Sequence, residues 1–308
     1  MAQKIALLFP GQGSQSVGML SELLEKSDVV KATFAEASNA LGYDLAALVT
    51  NGPEEELNQT HRTQPALLTA SVAIYRHWRA LNPDTETVMA GHSLGEYSAL
   101  VCSDVLSLSE AVKLVENRGL YMQEAVPAGI GAMAAIIGLA DDEIKKACEL
   151  SAQGEIVSAV NYNSPGQVVI AGHKAAVDRA SQACKDAGAK RALPLSVSVP
   201  SHCELMKPAA KKLKIDLAAL TFNTPKCVVI NNVDVKAETE ADAIKEALVR
   251  QLYSPVRWTE TVQALVAQGI TQSYEFGPAK VLTGLAKRID KAMVCGSVND
   301  CAAIDAAK

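Results

Sequence analysis

Ser93, Arg118 and His202 are the side chains of this sequence whose surroundings point to chemistry. Ser93 lies in Gly91-His92-Ser93-Leu94-Gly95, after the apolar run Val88-Met89-Ala90 and before a helix-like segment, Glu96 to Cys102. Gly-x-Ser-x-Gly between a strand and a helix is the nucleophile-elbow pattern. The glycines allow a sharp turn with no Cβ in the way, leaving the serine hydroxyl exposed at the strand's C-terminal end. The helix start beyond it offers free N–H groups and a positive dipole end where an oxyanion could develop. The same residues fit a tight turn whose serine only caps the helix; the flanking strand and helix favour the functional reading.

A serine hydroxyl is a poor nucleophile until a base takes its proton. His202 is the best candidate, because the strand-like run Ser196-Val197-Ser198-Val199 breaks at Pro200 and presents the histidine at a helix entry. Loops at a sheet edge are where catalytic side chains are usually displayed. A surface cap residue is the other reading of that histidine. His92 is the rival, but neighbours on an elbow strand point apart, so it is the poorer partner for Ser93. His61, His77 and His173 lie in polar or helical contexts and read as surface residues.

Arg118 is singled out by its position on a helix. Ser107 and Glu110 form a capping box for a helix running to about residue 122. At about 100° per residue, Leu108, Ala111, Val115 and Met122 share one stripe, and Arg118 falls inside it. A guanidinium is rarely buried unpaired. Its place on the stripe fits either a snorkelling or structurally paired arginine, or one that faces a site.

Those residues need a large α/β frame. With 308 residues, the chain is long enough for one big domain or two unequal ones. Lys4 to Phe9 reads as a strand stopped by Pro10, Ala66 to Trp78 as a buried helix started by Pro65, and 87–91 as the elbow strand. From about Gly131 the pattern becomes strand 131–137, helix 141–151, strand 156–162, strand 167–171, helix 174–187 and strand 190–195. That β-α-β-β-α-β order is the ferredoxin-like unit. The larger domain resumes near Pro200, with helix 204–219, strand 226–231, helices 240–252 and 258–268, strand 272–276 and helix 279–289. The expected architecture is therefore an α/β-hydrolase-like domain, residues 1–127 and 200–308, interrupted by a ferredoxin-like domain at 128–199.

Composition removes several other classes. Apolar residues make up 49% and charged residues 20%, as in an ordinary globular chain. The net charge of −5 argues against nucleic acid as a main partner. No segment approaches the ~18 apolar residues of a membrane span, and the first apolar run is too brief for a signal sequence, so a cytoplasmic protein is expected. Seven cysteines show no Cys-x-x-Cys pair, and five histidines show no metal-ligand spacing, so no metal is expected. Gly11-Gln12-Gly13 begins like a dinucleotide fingerprint, but Ser16 stands where the third glycine belongs; no cofactor is expected.

The chain resembles the malonyl-CoA:acyl-carrier-protein transacylase family, in its stand-alone bacterial form from type II fatty-acid synthesis. The resemblance rests on Phe9 to Gln15, Thr63-Gln64-Pro65-Ala66, Gly91 to Glu96, Arg118-Gly119, Asn161 to Pro165, Pro200-Ser201-His202, Gln251 with Pro255-Val256-x-Trp258, and Glu275-x-Gly277-Pro278. These blocks stand in the family's order over almost the whole chain. The resemblance implies that Ser93 is the acylated nucleophile, His202 its general base, and the N–H groups of Gln12 and Leu94 the oxyanion hole. It further implies that Arg118 holds the malonyl carboxylate, and that the Gln251 carbonyl orients His202 where a serine protease uses aspartate. The implied partners are malonyl-CoA and acyl carrier protein, the implied mechanism is ping-pong, and a monomer is expected.

A neutral orienting group would keep His202 from activating water strongly, so a Gln251 variant bearing a correctly placed carboxylate is expected to hydrolyse malonyl-CoA faster. Lys190, Arg191, Lys207, Lys211, Lys287 and Arg288 are candidates to meet an acidic carrier. A serine esterase or thioesterase and a non-catalytic acyl-CoA binder are the competing functions. Arg118 and the lack of a triad acid oppose the first; the presence of both nucleophile and base opposes the second.

Overall fold

The computed structural model describes residues 4–197 and 199–307. The first strand, β1 (Ile5–Phe9), is followed by four short-to-medium helices, α1 (Ser21–Lys26), α2 (Asp28–Leu41), α3 (Leu45–Asn51) and α4 (Glu54–Leu57). Next come the long helix α5 (Thr60–Leu81), strand β2 (Thr87–Gly91), and helices α6 (Gly95–Cys102) and α7 (Leu108–Ala125). A second unit contains β3 (Gly131–Ile137), α8 (Asp141–Ala152), β4 (Val157–Ser164), β5 (Gln167–His173), α9 (Lys174–Asp186) and β6 (Arg191–Pro194). The chain then forms a 3-10 turn (Glu204–Met206), α10 (Lys207–Ala219), β7 (Val228–Ile230), α11 (Ala241–Gln251) and α12 (Trp258–Ala267). It closes with β8 (Gln272–Phe276), α13 (Val281–Ile289), β9 (Val294–Val298) and α14 (Cys301–Ala306).

Two separate sheets result, one parallel and one antiparallel. The parallel sheet has the order β7-β2-β1-β8-β9. Successive residues of a strand point to opposite faces. Leu7, Phe9 and Met89 therefore join one core with α2, α5, α7 and α10, while Ala6, Leu8, Val88 and Ala90 join another with Trp258, Val262, Leu282 and Leu285. Both faces are covered, which is why these strands read as continuous apolar runs. The antiparallel sheet has the order β4-β5-β3-β6. One face packs on α8 and α9 through Ile136, Ile170, Ile144 and Val177; the other turns Met133, Val160 and Val169 towards Cys203.

Most of the expected elements are present, with particular corrections. The helix assigned a start at Pro65 begins at Thr60, with Pro65 inside it. The missing proline N–H is tolerated one and a half turns into the helix, where α7 presses close. A Cβ on Gly119 would lie 2.6 Å from the His61 Cα, so tertiary packing extends the helix past its local stop signal. The run before Pro200 is not a strand beyond Pro194; residues 195–197 lack regular structure, and Ser198 lies outside the described residues. The uninformative tail carries α14, whose end is tied down where the Trp78 indole N–H donates to the Ala307 carbonyl at 2.7 Å.

Candidate active site

The site forms where β1 and β2 end. Their registry pairs Phe9 with Gly91, so the loops that follow, Pro10 to Gln15 and His92 to Leu94, lie side by side at the C-terminal edge of the sheet. That edge is where open parallel α/β sheets hold ligands. The His92 N–H donates to the Phe9 carbonyl at 2.9 Å, which fastens the elbow to β1. The contact demands glycine: a Cβ on Gly95 would overlap the Phe9 carbonyl oxygen, and one on Gly91 would overlap the backbone of Gly95. Gly11 is also close, its absent Cβ 2.6 Å from the His92 carbonyl oxygen, and this brings Gln12 beside Leu94. No protein hydrogen bond among the described residues uses the N–H of Gln12 or Leu94.

Ser93 itself has φ +53°, in the left-handed region that non-glycine residues avoid. Its Oγ is 2.8 Å from His202 Nε2. The other ring nitrogen of His202, Nδ1, is 2.7 Å from the Gln251 carbonyl oxygen. A carbonyl can only accept, so Nδ1 carries the proton and Nε2 is left to accept from the serine hydroxyl. His202 also has a positive φ, +65°, and its N–H donates to the Leu252 carbonyl at 3.0 Å. Burial, helped by the neighbouring Arg118, pushes the His202 pKa down to about 3. The imidazole is therefore neutral, as a proton acceptor must be.

Arg118 is 2% exposed and faces this pair from α7. Its Nη1 donates to Gln64 Oε1 at 2.8 Å, and its Nη2 donates to Gln251 Oε1 at 3.1 Å. The same Nη2 lies 3.4 Å from Ser93 Oγ. The guanidinium also sits 5.4 Å from the centre of the Tyr97 ring. Among the described residues no carboxylate forms an ion pair with it. An arginine buried this deeply is held here by neutral amides, and burial presses its pKa downward, so its charge has no paired carboxylate to offset it. A cavity of about 110 Å³ opens in front of it, lined by Gln12, Ser93, Arg118, Met133, Asn161 and His202. That is room for a short acyl group, with Met133 contributed by the antiparallel unit.

Ser93, His202, Arg118, Gln12 and Leu94 thus line one cavity, and Gln251 stands behind it in contact with His202 and Arg118, although all six come from points throughout the sequence. The Gln251 side chain decides where a carboxylate at that position would stand. The Gln251 carbonyl meets His202, but its side chain points away, donating to Ser93 O and Glu96 Oε2, both at 2.9 Å, and accepting from Arg118. A carboxylate at position 251 would face Arg118 rather than the imidazole.

His92 points away from the serine: its Nε2 is 2.8 Å from Asn163 Oδ1 and its ring packs 5.6 Å from that of Trp258. The three histidines read as surface residues are half-buried, because helix-helix and strand packing closes over them. His61 meets Gln123 at 3.0 Å, and His173 accepts the Ile156 N–H at 2.9 Å. Gln64, Glu96, Tyr97 and Asn232 were not assigned roles in the sequence. The first three stand in or beside the quoted motifs, whereas Asn232 carries no local signal.

A serine on a strand-to-helix elbow, a neutral histidine and a buried arginine around a small cavity fit the class of acyl-transfer enzymes. Residues 6–291 match the family model of the acyl transferase domain. The malonyl CoA-acyl carrier protein transacylase of Escherichia coli (strain K12) is 63% identical over 304 residues, spanning 99% of this chain and 98% of that protein. A crystal structure of an acyl carrier protein S-malonyltransferase from Vibrio cholerae superposes with a TM-score of 0.97 at 65% identity, covering 99% of this chain and 100% of the other. A type II PKS acyl-carrier protein in complex with its malonyl-transacylase contains a chain that matches with a TM-score of 0.97 at 60% identity, covering 99% of each. The chain belongs to the malonyl CoA-acyl carrier protein transacylase family.

Proposed function

We infer that this protein moves a malonyl group from malonyl-CoA to the phosphopantetheine thiol of acyl carrier protein, through an ester on Ser93. The observation that carries the reading is the 3.4 Å approach of Arg118 Nη2 to Ser93 Oγ. A three-carbon diacid attached to Ser93 has its free carboxylate within reach of that guanidinium.

In the first half-reaction, His202 Nε2 takes the Ser93 proton as Oγ attacks the thioester carbonyl. The N–H groups of Gln12 and Leu94 receive the negative charge on the carbonyl oxygen. The C–S bond breaks, and the proton held by His202 passes to the departing CoA sulfur. The second half-reaction runs the same steps with the carrier thiol as nucleophile: His202 takes its proton, sulfur attacks the ester, and Ser93 Oγ leaves with the proton. Throughout, the Gln251 carbonyl holds Nδ1–H and stabilises the imidazolium without itself carrying a charge.

The large domain, residues 1–127 and 200–308, is read as α/β-hydrolase-like, supported by the elbow between β2 and α6. The inserted domain, residues 128–199, is read as ferredoxin-like, supported by its strand order β4-β5-β3-β6. The protein is assigned to the cytoplasm as a monomer; no helix among the described residues is long and apolar enough to cross a membrane. Intact-mass measurement after exposure to malonyl-CoA tests the chemistry. A malonyl adduct on Ser93, discharged by carrier thiol to malonyl-carrier rather than by water to free malonate, is the expected result. No adduct on Ser93, or free malonate as the main product, overturns it.

A further inference from the structure

Ser93 occupies an unfavourable backbone conformation, and such residues persist only where their surroundings over-determine them. Here the surroundings are three buried polar side chains. Asn232, just after β7, spans the turn with its amide: Oδ1 accepts the Ser93 N–H at 2.7 Å, and Nδ2 donates to the Gly91 carbonyl at 2.6 Å. Gln251, at the end of α11, donates to the Ser93 carbonyl. Glu96, on the first turn of α6, reaches back under the elbow to hold both. Its Oε2 accepts the Asn232 N–H and the Gln251 Nε2–H, each at 2.9 Å.

None of these three is more than 2% exposed. A carboxylate in so dry a place is costly, and burial pushes its pKa up to about 7. Helix stability alone does not require that burden, since the elbow helix could begin with an apolar residue there. The fork on Asn232 also has a directional effect. By taking the Ser93 N–H, it leaves the next N–H, that of Leu94, as the one free to face the cavity.

Resting on the role given above to Ser93, we propose that Asn232 and Glu96 are positioning residues for the nucleophile, fixing the elbow so that Ser93 Oγ meets His202 and the Leu94 N–H meets the acyl oxygen. They act through the Ser93 backbone and through Gln251, and touch no substrate. Arg118 keeps its bond to Gln64 in either case, and its other bond, to Gln251 Oε1, reaches Glu96 only through the far end of that amide. Acylation should therefore suffer more than binding, most clearly at Asn232, which makes no contact with Arg118.

The test is single-turnover acylation by malonyl-CoA, read by intact mass, together with malonyl-CoA affinity measured on the Ser93→Ala background. Asn232→Ala is expected to slow acylation by roughly 10²-fold, the loss that a displacement of about 1 Å produces at a reacting centre, with affinity changed less than about 3-fold. Glu96→Ala should fall similarly, and the double variant little further, because the two act as one unit. Glu96→Gln keeps an acceptor oxygen at the same place and should recover most of the rate. Wild-type acylation in both alanine variants, affinity lost with the rate unchanged, or a Glu96→Gln variant as slow as Glu96→Ala would each overturn the proposal. Should Asn232→Ala fail to fold, the two Glu96 variants decide the matter alone. An adduct formed by Ser93→Ala protein would instead refute the nucleophile assignment itself.

Discussion

His202 and Gln251 are joined through the backbone of one and the side chain of the other: the imidazole Nδ1–H donates to the Gln251 main-chain carbonyl at 2.7 Å. The amide of Gln251 is meanwhile turned to Arg118, Glu96 and the Ser93 carbonyl. Substitution at 251 thus leaves the histidine's acceptor in place. Gln251→Glu should not raise malonyl-CoA hydrolysis, because its carboxylate would meet Arg118 and lie beside Glu96. It should instead compete with the malonyl carboxylate. Like-charge juxtaposition costs several kcal/mol, so kcat/KM for malonyl transfer should fall by at least ~10²-fold. Hydrolysis that rises while transfer is retained would show that the new carboxylate reaches His202.

Arg118→Ala should separate malonyl from acetyl substrates. Losing one partner of a buried, hydrogen-bonded charge pair costs about 2–5 kcal/mol, which predicts at least ~30-fold lower kcat/KM with malonyl-CoA. Acetyl transfer should be kept or increased, since no carboxylate needs the guanidinium. The variant also orphans the Gln64 and Gln251 oxygens, so melting should be followed alongside. Equal losses with both substrates would make Arg118 structural.

The pH profile should lack an acid limb near the ordinary histidine pKa. His202, held down to about 3, stays neutral through pH 5–8, so kcat/KM for Ser93 acylation should be flat across that range. Stability has two opposing contributions. His202, whose folded pKa lies below its unfolded 6.5, makes the protein less stable as pH falls from 6.5 towards 3. Glu96, raised from 4.5 to about 7, makes it less stable as pH rises from 4.5 to 7. Between 4.5 and 6.5 the two slopes cancel, and below 4.5 the histidine acts alone. Denaturant titrations of wild-type and Glu96→Gln proteins test this: the variant should gain stability with rising pH in the window where the wild type is level. Identical pH slopes would rule out the Glu96 contribution.

Gly95→Ala should disable the enzyme through the fold rather than the chemistry. Its methyl group would overlap the Phe9 carbonyl oxygen, which is backbone and cannot swing aside. Overpacking of this kind costs roughly 1–3 kcal/mol or more. A lowered melting temperature together with loss of Ser93 acylation is expected. Full activity at wild-type stability would mean that β1 and the elbow can part without consequence.

The legible parts of this molecule were those written in consecutive or helically spaced residues. The elbow needs only five residues and its flanks, and the capping box at Ser107 and Glu110 forms as its spacing demands. The stripe carrying Arg118 is buried from Leu108 to Met122. Helices α1, α3 and α4 are four to seven residues long, too short for a periodicity to show; α2 is the exception, since Ser27 caps its start, Gly42 ends it and Val30, Phe34 and Ala37 form its buried stripe, all of them local signals. Strand β9 has Gly296 within it and exposed Val294 at its edge, and so shows no clean alternation. Asn232 was invisible for a different reason: its partners at 91, 93 and 96 are brought to it only by the pairing of β2 with β7.

The order of strands in the parallel sheet bears on how the chain is made. Strand β1 is made before every other strand described, yet one of its two neighbours is β8, far along the sequence. Pairings over such distances form slowly, since the intervening chain must be closed before they repay it. The serine is translated early, whereas its base, the base's carbonyl partner and Asn232 arrive only beyond residue 200. A nascent chain therefore exposes Ser93 without the means to activate it. Chemistry at the elbow begins only once translation has delivered the residues that complete the sheet.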